Sequence, residues 1–204
     1  MAEFLQGLSA ELAASGSPEW LAVFLGLAYL ILAARLSLWC WPAAFVSSAI
    51  YLALFFERQL YQQALLQVFY VVMAVYGFAQ WRRGLREPGE PVHRWSLRQH
   101  ALAIGAIALL TIVTGALEAR YTDAPMPYLD AFTTWGSVLT TWMVTRRVLE
   151  NWLYWIVVDG VLVHVALASG LIPTAGLFLV YIGIVIAGYF SWRRLQLRHS
   201  PVAA

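Results

Sequence analysis

Lysine is absent from this 204-residue sequence: all thirteen basic side chains are arginine. Without a lysine amine no Schiff base to a retinal-type aldehyde can form, which excludes a light-driven seven-helix pigment. Cysteine is limited to Cys40, so a disulfide framework is excluded as well. Charge is scarce. Asp, Glu, Lys and Arg together make up 12% of the residues, against roughly a quarter in soluble domains. Long polar stretches are also few; the longest polar connector, 82–98, contains Arg-Glu-Pro-Gly-Glu-Pro.

What is there is apolar: 61% of the residues are hydrophobic and the mean hydropathy is +0.69. A membrane-spanning helix takes about 20 mostly apolar residues. The composition therefore predicts an all-α membrane protein of seven transmembrane helices, with no room in these residues for a separate soluble catalytic domain. Apolar runs place the spans at 19–35, 41–57, 60–81, 99–117, 129–145, 151–169 and 172–192. Residues 1–18 carry Glu3 and Glu11 around Phe4, Leu5, Leu8 and Leu12, a pattern expected to form a short interfacial helix. No basic run precedes them, so no cleaved signal peptide is expected. Residues 82–98 read as a cytoplasmic loop and 193–204 as a cytoplasmic tail.

Charge orients this bundle. With the N-terminus outside and the C-terminus in the cytoplasm, the inner ends hold Arg35, Arg82, Arg83, Arg86, Arg94, Arg98, Arg146, Arg147, Arg193, Arg194 and Arg198. Outside remain Arg58 and Arg120, beside Glu3, Glu11, Glu19, Glu57, Glu118, Asp123 and Asp130. This asymmetry is a positive-inside signature and points to the plasma (inner) membrane. The arginines are scattered over helix ends and not gathered on one surface, so no nucleic-acid partner is expected.

The first three spans and the last three match at one gapless offset of 111 residues. Arg35 falls on Arg146, Trp41 on Trp152, Tyr70 on Tyr181 and Gly77 on Gly188. Trp81-Arg82-Arg83 falls on Trp192-Arg193-Arg194, and the acids Glu19 and Asp130 also coincide. The chain is thus expected to hold a three-helix repeat at 19–81, a linker helix at 99–117 and a second three-helix repeat at 129–192. One intervening span makes the repeats parallel. Parallel repeats are a transporter arrangement, with the substrate near the midplane at the repeat interface.

Asp159 is the one acid well inside a predicted span. It lies eight residues past Asn151, hence about 12 Å into a core about 30 Å thick. A carboxylate there is costly unless paired or functional. Trp152, Trp155 and Asp159 fall at i, i+3 and i+7, on one helix face. Two indoles and a carboxylate suit a flat cationic aromatic guest, through stacking, cation–π attraction and charge. On the third span Gln63, Gln67, Tyr70, Ala74, Gly77 and Trp81 follow helical spacing. Gln67 and Tyr70 are candidates to meet polar substituents, and Tyr51 on the second span is a further one. Gly77 and Gly188 are expected to allow close helix packing, and Trp81 and Trp192 to sit in the interfacial aromatic belt. His164 lies about 140° around the helix from Asp159 and is expected to be a packed neutral histidine.

No metal or cofactor is expected, because His93, His100 and His199 lack ligand spacing. No carboxylate pair, Ser/His/Asp group or phosphate loop appears, so the chain does not read as an enzyme. An intramembrane enzyme would need a second ionisable group at Asp159, and a seven-helix receptor an intracellular docking element.

Leu65-Leu66-Gln67-Val68-Phe69-Tyr70, leading to Tyr76-Gly77 and Trp81, resembles the third core helix of the PnuC family of bacterial vitamin transporters. Thr145-Arg146-Arg147 followed by Glu150-Asn151-Trp152-x-x-Trp155 resembles that family's most recognisable stretch. The resemblance spans about residues 19–194. It implies a SWEET-like arrangement of three, one and three helices, a homotrimer, and uptake of nicotinamide riboside by facilitated diffusion. A cytoplasmic vitamin kinase would phosphorylate and trap the product. Trp152, Trp155 and Gln67 match the family pattern, whereas asparagine stands at the position of Asp159 in its nicotinamide riboside transporters. Nicotinamide riboside is the expected substrate; thiamine, also cationic, and riboflavin are the alternatives.

Overall fold

The computed structural model describes residues 17–84 and 91–199, which form seven helices. In chain order they are α1 (Ser17–Ala34), α2 (Cys40–Glu57), α3 (Tyr61–Gly84), α4 (Leu97–Tyr121), α5 (Pro127–Thr145), α6 (Asn151–Ala168) and α7 (Ile172–His199). Six are long and apolar enough to cross a bilayer. The exception is α5, whose Thr133, Ser137, Thr140, Thr141 and Thr145 are all buried. It packs against α3, α4 and α6, so its hydroxyls meet protein and the hydrocarbon need not solvate them.

Local sequence sets the helix ends. Pro127 opens α5, where a missing N–H costs nothing. Ser96 and Gln99 cap α4 reciprocally: Ser96 Oγ accepts from the Gln99 N–H and Gln99 Oε1 from the Ser96 N–H. Four ends close by the motif in which a left-handed residue turns the chain back onto the last carbonyls. Leu36, Gln59 and Arg147 adopt positive φ there, as does Gly170. At the first of these, Leu36 N–H donates to Ala33 O (2.9 Å) and Ser37 N–H to Leu32 O (2.9 Å).

The 111-residue offset holds in the backbone. Shifted by it, α2 lands on α6 at both ends, Leu36 on Arg147 and Gln59 on Gly170. The turn bonds match too: Arg147 N–H donates to Val144 O (3.0 Å) and Val148 N–H to Met143 O (3.1 Å). Helix pairing obeys the same rule. The contacts α1·α2, α2·α3 and α1·α7 become α5·α6, α6·α7 and α3·α5, which closes six helices into a ring. Helix α4 lies outside that ring on α5, tied by a Trp135 Nε1 donation to Thr114 Oγ1 (3.0 Å).

One end of the ring carries Arg35, Arg82, Arg83, Arg146 and Arg193, and here the structure corrects the sequence reading. Trp81 and Trp192 are not aromatic-belt residues: they are 3% and 0% exposed, inside the core. Trp81 Nε1 donates to Val144 O (3.2 Å) and Trp192 Nε1 to Ala33 O (3.0 Å), so each indole reaches a carbonyl of the opposite triplet. Trp41 meets Trp81 edge-on at 5.2 Å and Trp152 meets Trp192 edge-on at 5.3 Å, while Trp81 and Trp192 lie 6.1 Å apart. Four indoles thus fill this end between the triplets. Gly77 and Gly188 make room: a Cβ there would come within 2.5 Å of Trp41 and 2.7 Å of Trp152.

Three smaller differences follow. Helices α3 and α7 overrun their expected ends, so Arg82, Arg83, Arg193 and Arg194 are helical and Arg198 extends from the same rod. His164 is exposed, not packed. The expected interfacial helix at 1–18 falls outside the described residues up to 16, as do 85–90 of the connector. The rest of that connector is a strap. His93 bridges Arg147 and Leu149 through backbone bonds of 2.9 and 2.8 Å, and Arg94 pairs with buried Glu150 at 2.9 Å. That hydrogen bond and charge hold the Arg94 guanidinium above its ordinary pKa.

Candidate functional site

Asp159 projects from the middle of α6 toward the inside of the ring, and only 4% of its surface is exposed. Among the described residues no donor hydrogen-bonds its carboxylate and no arginine pairs with it. Its neighbours are phenols: Tyr70 from α3 and Tyr181 from α7 both lie close enough to feel its charge. Burying an unpaired carboxylate costs on the order of several kcal/mol, and a stable bundle gains nothing from it.

Around the carboxylate the ring supplies hydroxyls. Ser137 of α5 is buried beside the Tyr70 hydroxyl. Tyr181 neighbours Tyr51 of α2, whose ring stacks on Phe55 at 5.6 Å. Tyr51 in turn lies near Glu19, which closes the far end of the bundle by an ion pair to Arg58 at 2.8 Å. A polar track therefore runs from Glu19 past Tyr51 and Tyr181 to Asp159, and stops at the indole cluster.

The residues expected from sequence divide accordingly. Asp159 and Tyr70 are brought together, and Tyr51 joins them through Tyr181. Trp155 is half-buried between Asp159 and the indole cluster, against which it packs. Trp152 is one of the four clustered indoles, 1% exposed, and its Nε1 has no hydrogen-bond partner. Its offset mate Trp41 has an orphaned Nε1 as well. Gln67 sits one turn before Tyr70 on α3, half-buried. The stripe along α3 becomes more enclosed toward the arginine-rich end: Gln63 is exposed, Gln67 and Tyr70 half-buried, and Ala74, Gly77 and Trp81 buried.

Tyr181, Ser137 and Ser48 were missed from sequence. The signal lay in the offset itself, which pairs Tyr181 with Tyr70 and Ser48 with Asp159. Two open grooves lie elsewhere: one of about 400 Å³ lined by Phe78, Ala79, Arg82 and Arg83, and one of about 260 Å³ between α3, α4 and α5. Neither includes a residue of the polar track.

Comparison with known proteins bears on this arrangement. The profile of the nicotinamide mononucleotide transporter family matches residues 17–194. The riboflavin/roseoflavin transporter RibM of Streptomyces davaonensis is 28% identical over 172 residues, covering 82% of this chain and 80% of that protein. The nicotinamide riboside transporter PnuC of Escherichia coli is 27% identical over 165 residues, covering 68% of this chain and 69% of that protein. The crystal structure of the vitamin B3 transporter PnuC superposes with a TM-score of 0.75 at 21% identity, over 96% of this chain and 88% of its own, which is likeness of fold. With its seven helices and a family match over nearly its whole length, the chain belongs to the nicotinamide mononucleotide transporter family and is a multi-pass membrane protein.

Proposed function

We propose that this protein carries nicotinamide riboside across the bacterial inner membrane by facilitated diffusion. The observation that carries the reading is Asp159: buried, facing inward and without a partner among the described residues. A pyridinium ring brought to about 5 Å from a carboxylate gains of order 3 kcal/mol at an effective dielectric of about 20. It thereby offsets the cost of hiding the carboxylate. Trp155, beside Asp159, offers a π-face to the same ring, with Trp152 walling it from below. Gln67 and Tyr70 lie where a carboxamide would reach them.

The two triplets are the moving parts. Rocking one against the other would open the Glu19 end and the indole end in turn around a fixed site. The eleven arginines support an orientation with the indole end in the cytoplasm and the N-terminus outside. There a vitamin kinase would trap the product, and three copies would assemble as the family resemblance implies. Riboflavin, supported by the similarity to RibM, ranks last on charge, because its neutral ring gains least from Asp159. Thiamine shares the cationic charge and ranks between them on that ground.

Uptake of labelled nicotinamide riboside, thiamine and riboflavin into proteoliposomes tests this. Saturable entry of nicotinamide riboside, unchanged on recovery, is the expected result. Entry of riboflavin alone overturns the substrate; chemical conversion of the compound overturns transport as its fate.

A further inference from the structure

The offset that relates the triplets sets two tyrosines against each other, and the structure treats them differently. Tyr70 has the buried Ser137 side chain beside it. The position equivalent to Ser137 beside Tyr181 is Gly26, which has no side chain to offer. A Cβ at Gly26 would stand 3.6 Å from the Tyr181 hydroxyl and 3.6 Å from Ser47 Oγ. Ser47 donates its hydroxyl to Ala22 O at 2.8 Å, and no hydrogen bond joins it to Tyr181. Among the described residues the Tyr181 hydroxyl has no hydrogen-bond partner, although it lies in the same inward layer as Asp159 and Tyr51. Room for a methyl group at Gly26 therefore adjoins an uncommitted phenol.

Charge is divided in the same way. Asp159 on α6 corresponds to Ser48 on α2, which is also buried. Asp159 makes the α6 wall anionic; α2, across the ring, carries the hydroxyls of Ser48 and Tyr51, and α7, beside α6, brings the Tyr181 hydroxyl against Gly26. Building on the transport reading above, we propose that Tyr181 is a substrate-contact residue that hydrogen-bonds the hydroxylated arm of the ligand, while Asp159 takes its charged ring. The ligand class is then a planar heteroaromatic ring carrying a sugar or polyol chain. Nicotinamide riboside and riboflavin fit that description, and thiamine, with its single hydroxyl, does not.

Binding to the purified full-length protein in nanodiscs, by titration calorimetry, tests the assignment with two ligands. These are nicotinamide riboside and 1-methylnicotinamide, which keeps the cationic ring and lacks the sugar. Tyr181→Phe is expected to weaken nicotinamide riboside about five-fold, the worth of one neutral hydrogen bond, and to leave 1-methylnicotinamide unchanged. Gly26→Ser, which fills the gap with a hydroxyl as Ser137 does for Tyr70, should likewise weaken only the riboside. An equal loss for both ligands, or no loss for the riboside, overturns the role of Tyr181. Should the wild type bind riboflavin and neither cationic ligand, the nicotinamide riboside reading falls by itself. Tyr181→Phe is then tested on riboflavin against lumiflavin, which keeps the flavin ring and carries a methyl in place of the ribityl chain. A loss for riboflavin alone supports the contact with Tyr181, and an equal loss for both, or none for riboflavin, overturns it. Binding of none of these ligands overturns both the substrate reading and the role of Tyr181.

Discussion

The two helix triplets share a skeleton and differ in what they do. Both have the same left-handed turns, the same indole seated on a glycine, and the same second indole reaching across to the other triplet. Yet α1–α3 presents Gly26 and Ser48 where α5–α7 presents Ser137 and Asp159. The turn between α1 and α2 leaves Trp39 largely exposed, whereas the corresponding Glu150 is buried and strapped by His93, Arg94 and Trp95. Duplicated positions are those where backbone geometry and packing leave little choice. The pairs Gly26/Ser137 and Ser48/Asp159 diverge within the bundle, and Trp39/Glu150 diverges at a turn.

The largest effect should come from removing a shared element. Trp192→Ala empties a fully buried site and should cost about 3–5 kcal/mol, read as a fall in the thermal unfolding midpoint in detergent. Trp81→Ala should match it, and Trp39→Ala, at an exposed position, should barely register. A large difference between the first two would contradict the equivalence of the triplets. Next come the glycines. Gly77→Ala and Gly188→Ala each drive a methyl into an indole and should cost about 1–3 kcal/mol, while Gly105→Ala, with nothing within 4 Å, should be neutral or stabilising.

The divergent position comes third. Asp159→Asn should weaken nicotinamide riboside about ten-fold, or about 1.4 kcal/mol, and leave any affinity for neutral riboflavin unchanged. Parallel losses would mean that Asp159 shapes the site without meeting charge. The smallest effect belongs to the crossing hydrogen bonds. Trp81→Phe and Trp192→Phe keep most of the ring and lose one donor, about 1 kcal/mol each. The cost stays low because Val144 O and Ala33 O still accept from Arg147 and Leu36. Equal shifts in unfolding midpoint would extend the equivalence to single hydrogen bonds; a shift in only one variant would limit it to backbone and ring packing.

Much of this was legible in residue order. Apolar runs separated by turns locate helices wherever hydrocarbon is the solvent, so α2 and α6 matched their expected spans within a residue or so at each end. Repetition was equally plain, since identities at one offset need no coordinates to be counted. Asp159 stood out because a lone acid in an apolar run is expensive. Trp81 and Trp192 misled for a physical reason: tryptophan beside arginine describes both a belt at the headgroups and a core at a helix end. Periodicity cannot tell which side of a helix meets lipid when both sides are apolar. His164 failed on the same ground.

Helix number, the charge asymmetry of the two ends and the duplication are properties of sequence alone, because each depends on residue type and spacing along the chain. Tertiary structure decided which apolar faces turn inward, which indoles reach across to the other triplet, and that Tyr181 stands beside Asp159. Those facts depend on which helix closes the ring beside which, α1 on α7 and α3 on α5, a long-range choice that no local pattern encodes.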